Sequence, residues 1–222
     1  MTFRESDTSD RRTRPADHAA SAADDAQPVR LLGIVGSLRP HSHNKRLLSA
    51  AALQLPPQTT LTVFPHLKRV EPFDESDEEP QGGGPPGANA LLAAIRAADG
   101  ILFVTPEYNG SIPGVLKNAV DWASRPTPAT SALANKPVAV IGGSTGMFGA
   151  TWSQQELRKA LKLAGARVID AELAVPSIDT AFRDDGNLAN PASRRRLSEI
   201  LQILSEEART TAAMRAAAAA AG

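Results

Sequence analysis

Ile101-Leu-Phe-Val-Thr-Pro-Glu-Tyr-Asn-Gly-Ser-Ile-Pro-Gly-Val-Leu-Lys-Asn-Ala-Val-Asp-Trp122 reads as a strand, a stiffened turn and a helix in immediate succession. Gly100 to Val104 is an apolar run that follows a helical pattern and is closed by Thr105-Pro106, as in a buried strand of a parallel sheet. Pro106 and Pro113 bracket Glu107, Tyr108, Asn109 and Gly110. Two fixed φ angles and one residue free to take φ > 0 stiffen this turn, so it can hold bare backbone amides toward a ligand. Ser111 is placed to cap the next helix, with Pro113 in its first turn. Ile112, Val115, Leu116, Ala119 and Val120 then repeat at the spacing of one buried helical face. Ligands of open α/β sheets bind beyond the carboxyl ends of strands, and the loop from Pro106 to Ser111 lies at such an end.

Outward from this unit the same alternation recurs. Val29 to Val35 reads as the first strand, stopped by Gly36, and Ser37 to Asn44 as a loop opening a helix that runs to about Leu53. That loop offers the hydroxyls of Ser37 and Ser42, the Arg39 guanidinium, the Asn44 amide and the free amides of a helix start, all donors suited to a phosphate. No Gly-Lys-Ser/Thr follows it and no three-glycine dinucleotide fingerprint is present, which favours a mononucleotide. His41 and His43 flank it without further metal ligands and receive no chemical role.

Thr59 to Phe64 reads as an edge strand, and Ala88 to Ala98 as a helix feeding the central strand. Lys136 to Ile141 is the fourth strand, followed by a loop punctuated by Gly142, Gly143, Gly146 and Gly149 and containing Ser144 and Thr145. Leu157, Ala160, Leu161 and Ala164 mark a helix ended by Gly165, Arg167 to Leu173 contains the fifth strand, and Leu197, Ile200, Leu201 and Leu204 give the last helix its inner stripe. Strands alternating with helices predict an α/β fold, a three-layer sandwich on a five-stranded parallel sheet, with Thr59 to Phe64 at its edge if the order is the flavodoxin-like 2-1-3-4-5.

Composition narrows the chemistry. The 222 residues carry zero formal net charge, so nothing suggests an electrostatic footprint for nucleic acid or a membrane surface. With no cysteine, disulfides, thiolate catalysis and Cys-ligated metals are absent, and redox chemistry must come from a bound cofactor. The carboxylates of 71–79 and the Asp184-Asp185-Gly186-Asn187 turn read as exposed loops rather than cation sites, so no metal is expected. Residues 1–28 are polar and aperiodic, a disordered extension without an apolar signal segment, which places the protein in the cytoplasm. The folded domain spans 29–208. Residues 209–222 form an alanine-rich tail, able to be helical but too poor in apolar mass to pack tightly.

The string from Pro106 to Trp122, together with Gly36-Ser-Leu-Arg-Pro-His-Ser-His-Asn44 and, more weakly, Gly142 to Gly149, resembles the signature of the NAD(P)H-dependent FMN reductases. This flavodoxin-like family includes quinone, azo-dye and chromate reductases. The resemblance implies FMN as cofactor and NADPH or NADH as cosubstrate, with hydride passing by a ping-pong cycle to a quinone, azo, flavin or metal-oxyanion acceptor. It assigns Ser37, Arg39, Ser42 and Asn44 to the FMN phosphate. Pro106, Glu107, Tyr108, Asn109 and Gly110 fall along the isoalloxazine, and Ser144, Thr145 and Gly146 along its pyrimidine side or ribityl chain. No side chain serves as catalytic acid or nucleophile, because the flavin performs the transfer and the loop of Tyr108, Asn109 and Gly110 positions its ring. Glu107 either orients the loop by accepting backbone amides or contacts the nicotinamide or a partner subunit. A homodimer or homotetramer is implied too.

The chain departs from its relatives at Trp152, where many carry arginine. Arg39 or Arg125 could select a 2′-phosphate, but coenzyme preference and acceptor are not legible. A flavodoxin-like electron carrier and a catalytically silent flavin redox sensor are the rival readings.

Overall fold

The computed structural model describes residues 28–79 and 83–220. The expected N-terminal extension therefore lies outside the described residues except for Pro28.

Five strands, β1 (Val29–Val35), β2 (Thr59–Val63), β3 (Gly100–Thr105), β4 (Pro137–Gly143) and β5 (Arg167–Val175), form one parallel sheet in the order 2-1-3-4-5. The three inner strands are buried along their lengths apart from Arg30, as expected for a sheet covered on both faces. Side chains alternate between layers with the period of two that a strand imposes. Ile101 and Phe103 of β3 pack into one core with α2 (Pro86–Ala97), α3 (Gly114–Ala123) and α4 (Thr151–Leu163). Leu102 and Val104 join the other core, with α1 (His43–Ala52) and α5 (Pro191–Ala220). The pairs Val35↔Val104 and Thr105↔Gly142 bring β1, β3 and β4 to an end at nearly one level, so the loops that follow them emerge side by side.

Carboxylates of the 71–79 loop, read from the sequence as exposed, are structural. The Glu71 carboxylate accepts from the amides of Gly87 and Ala88 and so caps α2, which lacks a side-chain cap of its own. The Glu71 carbonyl accepts from Trp122 Nε1 (2.9 Å) and Asn118 Nδ2 (2.9 Å), and Phe73 meets the Trp122 ring edge-on. Arg125 donates to Glu78 (2.6 Å) and Glu75 (3.0 Å), so its guanidinium is committed to this loop. Arg158 of α4, buried, donates to the carbonyls of Ile169 and Ala171 beside the register shift between β4 and β5, satisfying backbone acceptors that the irregular ladder leaves open.

The alanine-rich segment continues α5 without a break to Ala220; Thr211 is buried, and residues 213–218 are exposed. Among the described residues no helix is long and apolar enough to cross a membrane.

Lys136 is buried at the opposite pole of the sheet, its Nζ donating to the Ala98 carbonyl at 2.5 Å. Burial pushes its ammonium down to about 8, the nearby Arg215 and Arg30 act in the same direction, and Asp99 opposes them. Because the folded-state value lies below the unfolded one, the folded protein has released a proton that the unfolded chain retains between about pH 8 and 10.5. Stability contributed by this group therefore rises with pH through that window. Lys136→Met, which removes the buried charge but orphans one carbonyl, should raise stability at pH 7 by about 1–2 kcal/mol. Thermal denaturation of both proteins from pH 7 to 10.5 checks this: the gap should narrow as pH rises, and a constant gap would refute it.

Candidate active site

At the carboxyl ends of β1, β3 and β4, a cleft of about 110 Å³ is lined by Ser37, Arg39, Ser42, His43, Asn44, Pro106, Glu107, Tyr108, Gly143, Ser144, Thr145 and Ile178. Segments far apart in sequence thus meet at one place. Asn109, Gly110 and Gly146 sit on the same loops without lining the cleft.

The first wall is the start of α1. Ser42 takes the N-cap position in extended backbone, and its Oγ accepts from the Asn44 amide at 3.2 Å. The Asn44 side chain turns away from the helix axis to Gly143, donating to its carbonyl (2.9 Å) and accepting from its amide (3.1 Å). Asn44 therefore clamps α1 to the end of β4, and its side-chain donor is directed to Gly143 rather than into the cleft. Two buried polar atoms here have no partner, Ser37 Oγ and His43 Nδ1. Buried polar groups are normally satisfied, so orphans beside a helix N-terminus are what a site awaiting an anion should present.

The second wall is the turn after β3. Tyr108 and Ser111 exchange backbone hydrogen bonds (3.2 and 3.1 Å) around Asn109 at φ 53° and Gly110 at φ 72°. Positive φ at both central residues is the signature of a type I′ turn, which Asn-Gly favours. Ser111 does not cap α3: Pro113 takes that position, and the Ser111 hydroxyl donates to Glu156 of α4 at 2.5 Å. The serine is held two residues short of the cap by its own bridge to Tyr108.

Glu107 Oε2 accepts from the Ser153 amide at 3.1 Å in the first turn of α4. That helix starts from Ala150 in the left-handed region with no side-chain cap, so the carboxylate satisfies one of its free amides from outside. Thr105 Oγ1 and Ser153 Oγ, 2.8 Å apart, strengthen the joint.

The third wall needs absent side chains. A Cβ on Gly142 would lie 2.3 Å from the Thr105 carbonyl oxygen, and one on Gly143 would lie 2.3 Å from Ile178 Cδ1. Ile178, from the connection before α5, donates its amide to the Ser144 carbonyl at 3.1 Å. Its place in the site has no local sequence signal. His43 had one, as the residue between Ser42 and Asn44 at a helix start. Arg39 lines the cleft, whereas Arg125 does not.

A doubly wound parallel sheet of this order, with three loops converging at its carboxyl edge around a helix N-terminus, defines a flavodoxin-like α/β fold. Residues 29–180 match the NADPH-dependent FMN reductase family. A NAD(P)H-dependent FMN reductase of Pseudomonas aeruginosa is 36% identical over 178 residues, covering 79% of this chain and 93% of its own. A 2-hydroxy-1,4-benzoquinone reductase of a Burkholderia species is 34% identical over 174 residues, covering 78% of this chain and 92% of its own. Among solved structures, the flavoenzyme NAD(P)H:(acceptor) oxidoreductase of Paracoccus denitrificans superposes with a TM-score of 0.72 at 27% identity, covering 82% of this chain and 98% of that one. The chain belongs to the NADPH-dependent FMN reductase family and is an oxidoreductase of that kind.

Proposed function

We propose that this protein binds FMN with its phosphate in the cleft and its ring along the loops beside it, and catalyses NAD(P)H + H⁺ + quinone → NAD(P)⁺ + hydroquinone, both substrates using the same open site in turn, as a ping-pong cycle requires. The unpartnered Ser37 Oγ and His43 Nδ1 at the start of α1 carry the reading, because they supply polar groups where the cofactor's phosphate would lie. Ser37, Arg39, Ser42 and the amides at the head of α1 hold the phosphate, and Asn44 serves by fixing that loop to Gly143.

Bound FMN supplies the hydride-transfer chemistry. The residues supply placement. Pro106 to Gly110 lie along the ring, where the amides of Asn109 and Gly110 favour negative charge developing on it, and Tyr108 offers an apolar face. Ser144, Thr145 and Gly146 border the ribityl or pyrimidine side. Glu107 orients this wall through Ser153. Free flavin, azo compounds and metal oxyanions are further acceptor classes, and a homodimer or homotetramer in the cytoplasm, where reduced nicotinamide is supplied, is the expected working form.

The test is the visible spectrum of the purified protein reconstituted with FMN and mixed anaerobically with NADH or NADPH, then with 1,4-benzoquinone. Bleaching by the coenzyme and recovery on adding quinone are expected. A spectrum that stays empty after reconstitution refutes the cofactor assignment, and bound FMN that neither coenzyme reduces makes the protein a carrier or sensor instead.

A further inference from the structure

On the far side of β1 from β3, a groove of about 580 Å³ lies between α1 and the edge strand β2. Its volume is that of a small-molecule site, whereas the cleft described above holds about 110 Å³.

The groove has a polar end and an apolar end, and the topology fixes which is which. As a crossover between parallel strands, α1 runs back from the carboxyl edge of the sheet. Lys45 in its first turn therefore lies at that edge, and Ala52 in its last turn lies away from it. β2 runs the opposite way, so Leu61 lies toward the far end. Lys68, in the short helical turn Leu67–Arg69 that follows β2, returns to the edge where Lys45 stands. From Lys45 to Ala52 the helix rises about 10 Å. Leu38, Leu48, Val63 and Phe64 complete the walls. Leu38 and Val63 are 38% and 52% exposed, so apolar surface stands open here that a ligand would cover.

The polar end suits a negative charge. Neither the Lys45 nor the Lys68 ammonium has an ion-pair or hydrogen-bond partner among the described residues, and no carboxylate lines the groove. Ser37 is 2% exposed, its Oγ has no partner, and it lines this groove as well as the cleft. A buried hydroxyl left unpaired is a donor lacking its acceptor. The remaining polar side chain, Ser49, already donates to the Lys45 carbonyl at 3.2 Å. With no carboxylate or amide side chain in the lining, a sugar or a nucleobase would leave its own donors unpaired. The walls are aliphatic apart from Phe64 and follow one helix face, which suits a chain better than a ring.

We propose that this groove binds a straight-chain alkyl carboxylate of about eight to ten carbons. The carboxylate lies at Ser37, Lys45 and Lys68, and the chain is laid between α1 and β2 toward Leu61 and Ala52. Binding itself stands without the flavin reading above; one consequence rests on it. Ser37 has a single proton to donate, while a phosphate and a carboxylate are both acceptors of like charge. The ligand therefore weakens FMN binding, and FMN weakens the ligand's by the same factor.

The test is calorimetric titration of the purified protein, before and after loading with FMN, with hexanoate, octanoate and decanoate below their micellar concentrations. Each added methylene should tighten binding about 4-fold, and 1-octanol, the uncharged control, should bind about 10-fold more weakly than octanoate. Lys45→Gln combined with Lys68→Gln should bring octanoate down to the octanol level. Ala52→Phe, which fills the apolar end from an exposed position, should weaken decanoate about 10-fold and leave hexanoate unchanged. No binding to the native protein, affinity independent of chain length, or octanol equal to octanoate overturns the proposal. So does a fall in oligomeric mass on adding decanoate, which would make the groove a subunit contact.

Saturating decanoate should raise the Kd of FMN about 5-fold or more, and an unchanged Kd overturns the placement of the carboxylate at Ser37. A protein that follows the chain-length series but takes up no FMN supports the groove and refutes the flavin reading, which keeps the two failures apart.

Discussion

Gly142→Ala should destabilise the protein by about 3 kcal/mol or more and abolish flavin retention, although it adds a single methyl group. The new Cβ would lie 2.3 Å from the carbonyl oxygen of Thr105, its register partner on β3, and 3.2 Å from the Thr105 methyl. A side chain could swing away from such an intruder; a backbone carbonyl inside a central ladder cannot. Relief requires β3 and β4 to separate at their carboxyl ends, where the loops Pro106–Ser111 and Ser144–Gly149 depart, so stability and site geometry fail together. Gly114→Ala is the control, because a Cβ there meets nothing within 4 Å and the residue opens a helix, where alanine is the better helix former. Thermal denaturation should show a large drop for Gly142→Ala and none for Gly114→Ala; equal melting temperatures would remove the steric argument.

Asn44→Ala should cost about 2–4 kcal/mol, because it deletes two hydrogen bonds and leaves the buried Gly143 amide and carbonyl without partners. In a chain of this size that corresponds to a fall in melting temperature of roughly 5–15 °C. FMN affinity should fall at least tenfold as the phosphate loop loses its anchor to β4. Asn44→Asp separates clamp from polarity. It retains an acceptor for the Gly143 amide, but sets a carboxylate oxygen against the Gly143 carbonyl and brings negative charge to the phosphate site. Both variants should therefore lose affinity. If Asn44→Asp binds FMN as well as the native protein, Asn44 is not the clamp described.

The fold was legible because each strand of the inner sheet is a short apolar run and each helix repeats its apolar positions with the helical period. Leu197, Ile200, Leu201 and Leu204 mark a stripe that is wholly buried in α5, and Gly165 takes the left-handed conformation predicted for it, at φ 89°. The alternation of strand and helix restricts the topology further, since crossovers between parallel strands are right-handed. Much of the site was legible for a different reason. Glycine, proline, serine and asparagine at strand ends state where the backbone turns and which donors it offers, and all the cleft's lining residues but Ile178 lie on loops recognisable by that chemistry.

What the sequence could not state is which partner a polar group takes when several are near. Ser111 is a sound cap by residue type, but the Tyr108 bridge holds it too early and Glu156, 45 residues on, takes its hydroxyl. Asn44 reads as a phosphate donor until Gly143, 99 residues away, claims both ends of its amide. Arg125 reads as a candidate coenzyme selector until Glu75 and Glu78 fold back onto it. Apolar burial depends on local periodicity, so the sequence by itself determined the layers and the strand ends at which the candidate cleft opens. A hydrogen bond depends on a meeting within about 3 Å between groups distant in the chain, so only the tertiary structure decided which polar groups stay unpartnered at the candidate cleft, that Ile178 lines it, and that the rings of Trp152 and Phe148 meet.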